Sequence, residues 1–111
     1  MTSPRVTTKV WIDSYRKRLE EKAIPLFIVK KGDEVAGSIL IKISNLKGFT
    51  RVFVQAIGLD GSNDWTELTK GADDAIEKVI LKQVHFDQDI WILEVEDKNG
   101  SGLLEDPSLK R

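Results

Sequence analysis

The densest set of residues able to do chemistry is Glu94-Val95-Glu96-Asp97-Lys98, with Asp87 and Asp89 shortly before it. In an extended strand, side chains alternate, so Glu94 and Glu96 share one face and Asp97 takes the other. Paired carboxylates of this kind suit Mg²⁺ binding or acid/base work. A second set is Gly32-Asp33-Glu34-Val35-Ala36-Gly37, followed by Lys42 between Ile41 and Ile43. A lysine inside an apolar strand needs a counter-charge, and Glu94 across the sheet is a suitable one. Asp33, Lys42, Glu94 and Glu96 are therefore the candidate ligand-binding residues.

The plainer alternatives carry more weight. Glu96-Asp97-Lys98 is similar to the Glu-x-Lys half of metal-dependent nuclease sites, which makes Glu94, Glu96 and Asp97 an alternative metal set. The match is three residues long, and no companion aspartate stands out on an earlier strand. A strand leaving the core with solvated or ion-paired carboxylates explains the same letters. The glycine-rich stretch is not G-x-G-x-x-G and precedes a strand rather than a helix, so a dinucleotide or phosphate loop fails on context. Its glycines suit a turn and close backbone approach. Ser14, Ser38 and Ser44 lack a nucleophile-elbow setting. The lone His85 suits a helix end better than a general base.

Composition narrows the classes further. Cys is absent from the 111 residues, which removes disulfides, thiolate metal sites and cysteine nucleophiles. One histidine cannot supply a multi-histidine metal site. Apolar residues make up 41%, as expected of a folded domain. The apolar runs fall far short of the roughly 20 residues that cross a bilayer, and no signal-peptide core is seen. A soluble cytoplasmic protein without a cofactor is the default expectation, with no membrane partner. Eight basic and three acidic residues give positions 1–31 a charge of +5, whereas nine basic and fifteen acidic give the remainder −6. Arg16-Lys17-Arg18 could meet phosphates, yet a pI near 5.8 and the lack of an aromatic platform argue against a nucleic-acid partner.

The elements that must position these groups follow from periodicity. Thr7 or Thr8 suits a helix N-cap. Trp11, Ile12, Tyr15, Leu19 and Ala23 then recur every three to four residues, predicting a helix over 8–23 that stops before Pro25. Residues 26–31, 37–43 and 49–57 read as strands joined by short turns, hence an antiparallel meander. Residues 65–69 are a possible fourth strand after a loop over 58–63. Asp73 or Asp74 is expected to cap a second helix, with Glu77 completing a capping box. A last strand spans 90–95. The fold class is α+β: a mostly antiparallel, four- to five-stranded sheet in the order α-β-β-β-(β)-α-β, with the helices packed on it. One helix on each face, or both on one, are equally open. The whole of 1–111 forms one domain, with a loose start over 1–6 and a surface tail over 98–111 in which Leu103 and Leu104 are possible anchors.

Several blocks recur together in a recognisable order. They are Pro4-Arg5-Val6 to Trp11 with Tyr15-Arg16-Lys17-Arg18, and Lys31-Gly32-Asp33-Glu34-Val35-Ala36-Gly37 with Lys42. Phe86-Asp87-Gln88-Asp89-Ile90-Trp91 follows, running into Glu94-Val95-Glu96-Asp97, and then Leu103-Leu104-Glu105-Asp106-Pro107. Over about residues 4–107 the chain resembles a family of short alphaproteobacterial proteins known only as a domain of unknown function. The resemblance brings no activity, substrate or partner with it. The function expected is a small non-catalytic binding or protein-interaction module. Its partner would be an unknown protein or a second copy, met through Trp65, Arg16 and Arg18, with Trp65 expected to be exposed. The alternative is a metal-dependent hydrolase or nuclease-like enzyme built on Glu94, Glu96 and Asp97.

Overall fold

The computed structural model describes residues 6–57 and 63–109. Most of the expected loose start and of the 58–63 loop lies outside these residues. Helix α1 (Thr8–Glu21) begins where the Thr7 Oγ1 accepts the Val10 N–H at 3.3 Å. Its apolar stripe of Trp11, Ile12, Tyr15 and Leu19 is buried. It ends two residues earlier than the apolar spacing suggested. Ala23 turns left-handed at φ 58°, and the Ala23 and Ile24 N–H groups bond back to the Glu20 and Leu19 carbonyls at 3.0 and 2.9 Å.

Strands β1 (Leu26–Lys30), β2 (Ile39–Ser44), β3 (Phe49–Ile57) and β4 (Asn63–Ala72) follow, then helix α2 (Asp73–Phe86) and strand β5 (Trp91–Glu96). The element order and the α+β class are as expected, with β4 longer than foreseen. The sheet order is β1-β5-β2-β3-β4. The expected β1–β2 meander is not formed, because β5 lies between them, antiparallel to β1 and parallel to β2. The physical reason lies in β5 itself. Trp91, Leu93 and Val95 face one core, Ile90 and Ile92 the other, and all five are buried. Only a central strand buries both of its faces. Strand β1, with Phe27 at 49% and Val29 at 57% exposure, takes the edge.

The Gly32–Gly37 segment crosses the start of β5 in close contact. The Asp33 N–H donates to the Asp89 carbonyl at 3.0 Å, and the Trp91 indole donates to the Asp33 carbonyl at 2.8 Å. A Cβ at Gly32 would collide with the Asp89 carbonyl, so glycine is required there.

One helix lies on each face. The α1 face holds Trp11, Tyr15, Ile39, Ile41, Ile43, Phe53 and Leu93. The α2 face holds Leu40, Val52, Ile76, Ile80 and Ile92. The expected cap of α2 is not used: its N-cap is Ala72, without a side-chain bond. Asp73 instead accepts the Thr50 hydroxyl at 2.9 Å, and Glu77 pairs with Lys42, so neither is free to close a capping box. The tail is also more than a surface appendage. Leu109, at 2% exposure, joins the α1 core, and its carbonyl accepts the Trp11 indole N–H at 3.0 Å. Among the described residues no helix is long and apolar enough to cross a membrane.

Candidate functional site

A cleft of about 500 Å³ opens at one end of the sheet. It sits beyond the carboxyl ends of β2 and β5, the one parallel strand pair among the described residues. In α/β sheets that position is where ligand crevices form. Three segments build it. The α1–β1 connection brings Lys22, Ala23 and Ile24, the β2–β3 turn brings Leu46, and the end of β5 with its following loop brings Glu96 to Asn99, Ser101 and Leu103.

The backbone around this cleft is unusual. Ala23, Leu46 and Leu103 have φ of 58°, 64° and 61°, and they are all the non-glycine residues with positive φ among the described residues. A left-handed L-residue costs on the order of 1 kcal/mol. Strain of this sort concentrates at functional sites, where the surroundings hold it in place. Around Leu46, the Asn45 Oδ1 accepts the Lys47 and Phe49 N–H groups at 2.8 and 3.2 Å, and this fixes the turn. Leu103 follows Gly102, itself at φ 56°. A Cβ at Gly102 would lie 2.6 Å from Ile43 Cδ1 and 3.0 Å from the Tyr15 hydroxyl.

Asp97 organises the β5 end of the cleft and is 4% exposed. Its Oδ2 accepts the Gly102 and Ser101 N–H groups at 2.8 and 3.2 Å and the Ser101 hydroxyl at 3.3 Å. Its Oδ1 accepts the Asn99 N–H at 3.0 Å. Burial by itself pushes this carboxyl up. The bonds from Gly102, Asn99 and Ser101 outweigh that and hold it below the ordinary carboxylate range. Beneath the loop, the Tyr15 hydroxyl donates to the Gly102 carbonyl at 2.7 Å. Burial, then the negative charge of Asp97, raises the Tyr15 phenol far above its usual value and keeps it protonated.

The candidate residues read from the sequence are not brought to one place. Lys42 and Glu94 are register partners on the α2 face, with Nζ 3.4 Å from Glu94 and 3.2 Å from Glu77. Asp97 lies on the opposite face. Glu96 reaches the cleft, whereas Asp33 sits at the far end of β5, accepting the Ala36 N–H at 2.8 Å. Among the described residues no three His, Cys, Asp or Glu side chains are placed to hold a metal. The carboxylates of the nuclease-like alternative are thus separated: Glu94 on Lys42, Asp97 on the donors of its own loop, and Glu96 at the cleft. Trp65 is half-buried rather than exposed, its ring 5.2 Å from that of Trp11. The Trp65 indole N–H and the Gln55 amide, its cross-strand partner, are buried without a hydrogen bond among the described residues. Arg18 lies 3.5 Å from Asp106, and Arg16 is half-buried elsewhere on α1. The sequence assigned no site role to Lys22, Ala23, Leu46 or Leu103, reading Ala23 as helix stripe and Leu103 as a tail anchor. The available signal was the lack of glycine before Ile24-Pro25, where a helix this close to a proline must stop.

The fold recurs in solved structures. The crystal structure of a DUF1491 family protein from Caulobacter crescentus is similar with a TM-score of 0.83 at 27% identity, over 93% of this chain and 98% of that one. The NMR structure of a DUF1491 family protein from the same organism gives 0.81 at 26% identity, over 95% and 97%. The solution structure of a protein from A. tumefaciens gives 0.78 at 19% identity, over 91% and 93%, a likeness that shows the fold alone. No curated protein matches. Both source organisms are alphaproteobacteria, as the sequence blocks led us to expect. The model of DUF1491, described as a protein of unknown function, matches residues 6–105, and the chain belongs to that family.

Proposed function

We propose that this protein is a small non-catalytic binding module whose ligand occupies the cleft beyond β2 and β5. The observation that carries this reading is the gathering of Ala23, Leu46 and Leu103, three strained residues from separate segments, around one cavity. Its volume falls within the range of small-molecule sites. A non-catalytic role is favoured because two of the three carboxylates suited to metal chemistry are committed, Asp97 to four donors and Glu94 to Lys42, which leaves Glu96 alone at the cleft. The test is a fragment screen on ¹⁵N-labelled protein. Amide shifts confined to residues 22–24, 46 and 96–103 are expected for a subset of fragments. Hits spread evenly over the surface, or none at the cleft, would remove the reading.

A second reading, self-association, is favoured by the apolar edge strand β1, where Phe27, Ile28 and Val29 are all exposed. Edge strands of this kind add strands from other chains. Against it, the register slips between Ile28 and Lys30, a bulge that blunts pairing. Light scattering across a wide concentration range decides it. A constant monomer mass would leave β1 as a protected edge.

A further inference from the structure

We propose that Asn99-Gly100 is a self-modification site, where the asparagine converts slowly to aspartate and isoaspartate at a rate set by the Asp97 loop. The inference goes beyond the cleft's ligand and holds whether or not one binds. The three asparagines are followed by Leu46, Asp64 and Gly100, so only Asn99 precedes a glycine. Glycine places no side chain beside its own nitrogen, and that nitrogen is the nucleophile of the reaction. Asn99 is exposed, and its side-chain amide makes no hydrogen bond among the described residues. Even a Cβ on Gly100 would meet open space. The reaction begins when the Gly100 N–H gives its proton to hydroxide. The nitrogen bonds to Asn99 Cγ and the Cγ–Nδ2 bond breaks. Ammonia leaves with a proton taken back from water, and a five-membered succinimide remains. Water then opens the ring at either carbonyl. One opening leaves aspartate, the other an isoaspartate whose main chain runs through Cγ.

The fold holds back the first step. The Gly100 N–H donates to the Asp97 carbonyl at 2.7 Å, and the Gly100 carbonyl accepts Arg51 Nη1 at 3.1 Å. Gly100 is thus pinned on both sides, and attack waits for the loop to open. The products in turn undo the loop. Isoaspartate adds a backbone atom between Asn99 and Gly100, although the Asp97 carboxylate must reach the Asn99, Ser101 and Gly102 N–H groups together. Aspartate instead adds a second negative charge two residues from Asp97. Because Asn99, Ser101 and Leu103 line the cleft, its wall loosens as the chain ages.

The experiment incubates the full-length protein in mildly alkaline buffer beside a free peptide of residues 95–103. Mass spectrometry follows position 99 in both, with an assay for isoaspartate. Conversion is expected at Asn99, about ten- to a hundredfold slower in the protein than in the peptide. The slowing should match the exchange protection of the Gly100 amide, since both processes remove the same proton. Both should fall severalfold in Arg51→Met, and the comparison of rate with exchange in the unaltered protein stands without that variant. Asn99→Gln, whose ring would be larger, should stay unmodified over the same time. In aged protein the Ser101 and Gly102 amides should exchange faster. Conversion at the peptide's own rate, or none at position 99 once the peptide has fully converted, overturns the inference. So does a slowing that departs from the Gly100 protection by more than about tenfold, or equal conversion at Asn45 and Asn63.

Discussion

The Asp97 carboxylate accepts the Gly102 N–H at 2.8 Å, closing the loop that carries Asn99 and Ser101 over the end of β5. Because those donors hold its pKa below the ordinary value of about 3.9, the unfolded chain binds the proton more readily. The resulting stability is fully present above the unfolded pKa and is lost as pH falls through the folded one. Urea unfolding should show a decline beginning as pH drops below about 5 and deepening below about 4. Asp97→Asn should flatten that part of the profile and cost about 2 kcal/mol at pH 7, since it leaves buried N–H groups poorly answered.

Ala23 caps α1 with φ at 58°, a conformation that glycine adopts freely. Ala23→Gly should relieve about 1–2 kcal/mol of strain, offset in part by the added freedom of the unfolded chain. A net gain of about 0.5–1 kcal/mol is expected, seen as a rise in melting temperature of a few degrees. If the strain shapes the cleft, fragment affinity falls in the same variant.

Lys42 stands between Glu94 and Glu77 with its side chain 13% exposed, against 34% and 59% for its partners. The exposure of Glu77 makes that contact worth little. Lys42→Ala should cost about 1 kcal/mol, partly through its buried stem. Made together with Glu94→Gln, it should cost less than the two single changes added. A coupling near 0.5 kcal/mol in the double-mutant cycle is the expected result.

Leu109 is the test of the tail. Leu109→Ala should destabilise the protein by about 2–3 kcal/mol, toward the low end for a buried leucine because a short terminal turn can settle inward. Hydrogen exchange at Trp11 Nε1, whose acceptor is the Leu109 carbonyl, should speed up with it. A merely surface-draped tail would leave both unchanged.

Much of the architecture was legible because the periods are clean. Trp11, Ile12, Tyr15 and Leu19 mark a helix face, and the alternation about Lys42 placed Glu94 as its partner across the sheet. What misled was chain proximity, since β1 and β2 are joined by a short connection and yet do not pair. The corrective clue was Ile90 to Leu93, apolar on both sides, which belongs in the middle of a sheet. The cleft was not legible. Ala23, Leu46 and Leu103 are ordinary apolar letters, and only the folded topology makes them neighbours.

The placement of β5 has a consequence for how the chain comes into being. Leu26 pairs with Val95 and Ile39 with Trp91, so the first two strands wait for the last. On the ribosome, the amino-terminal half would emerge with a gap in its sheet that nothing yet synthesised can fill. Such distant pairings slow folding and prolong the exposure of apolar strands. The newborn chain is at its most vulnerable to aggregation until its final quarter slots home.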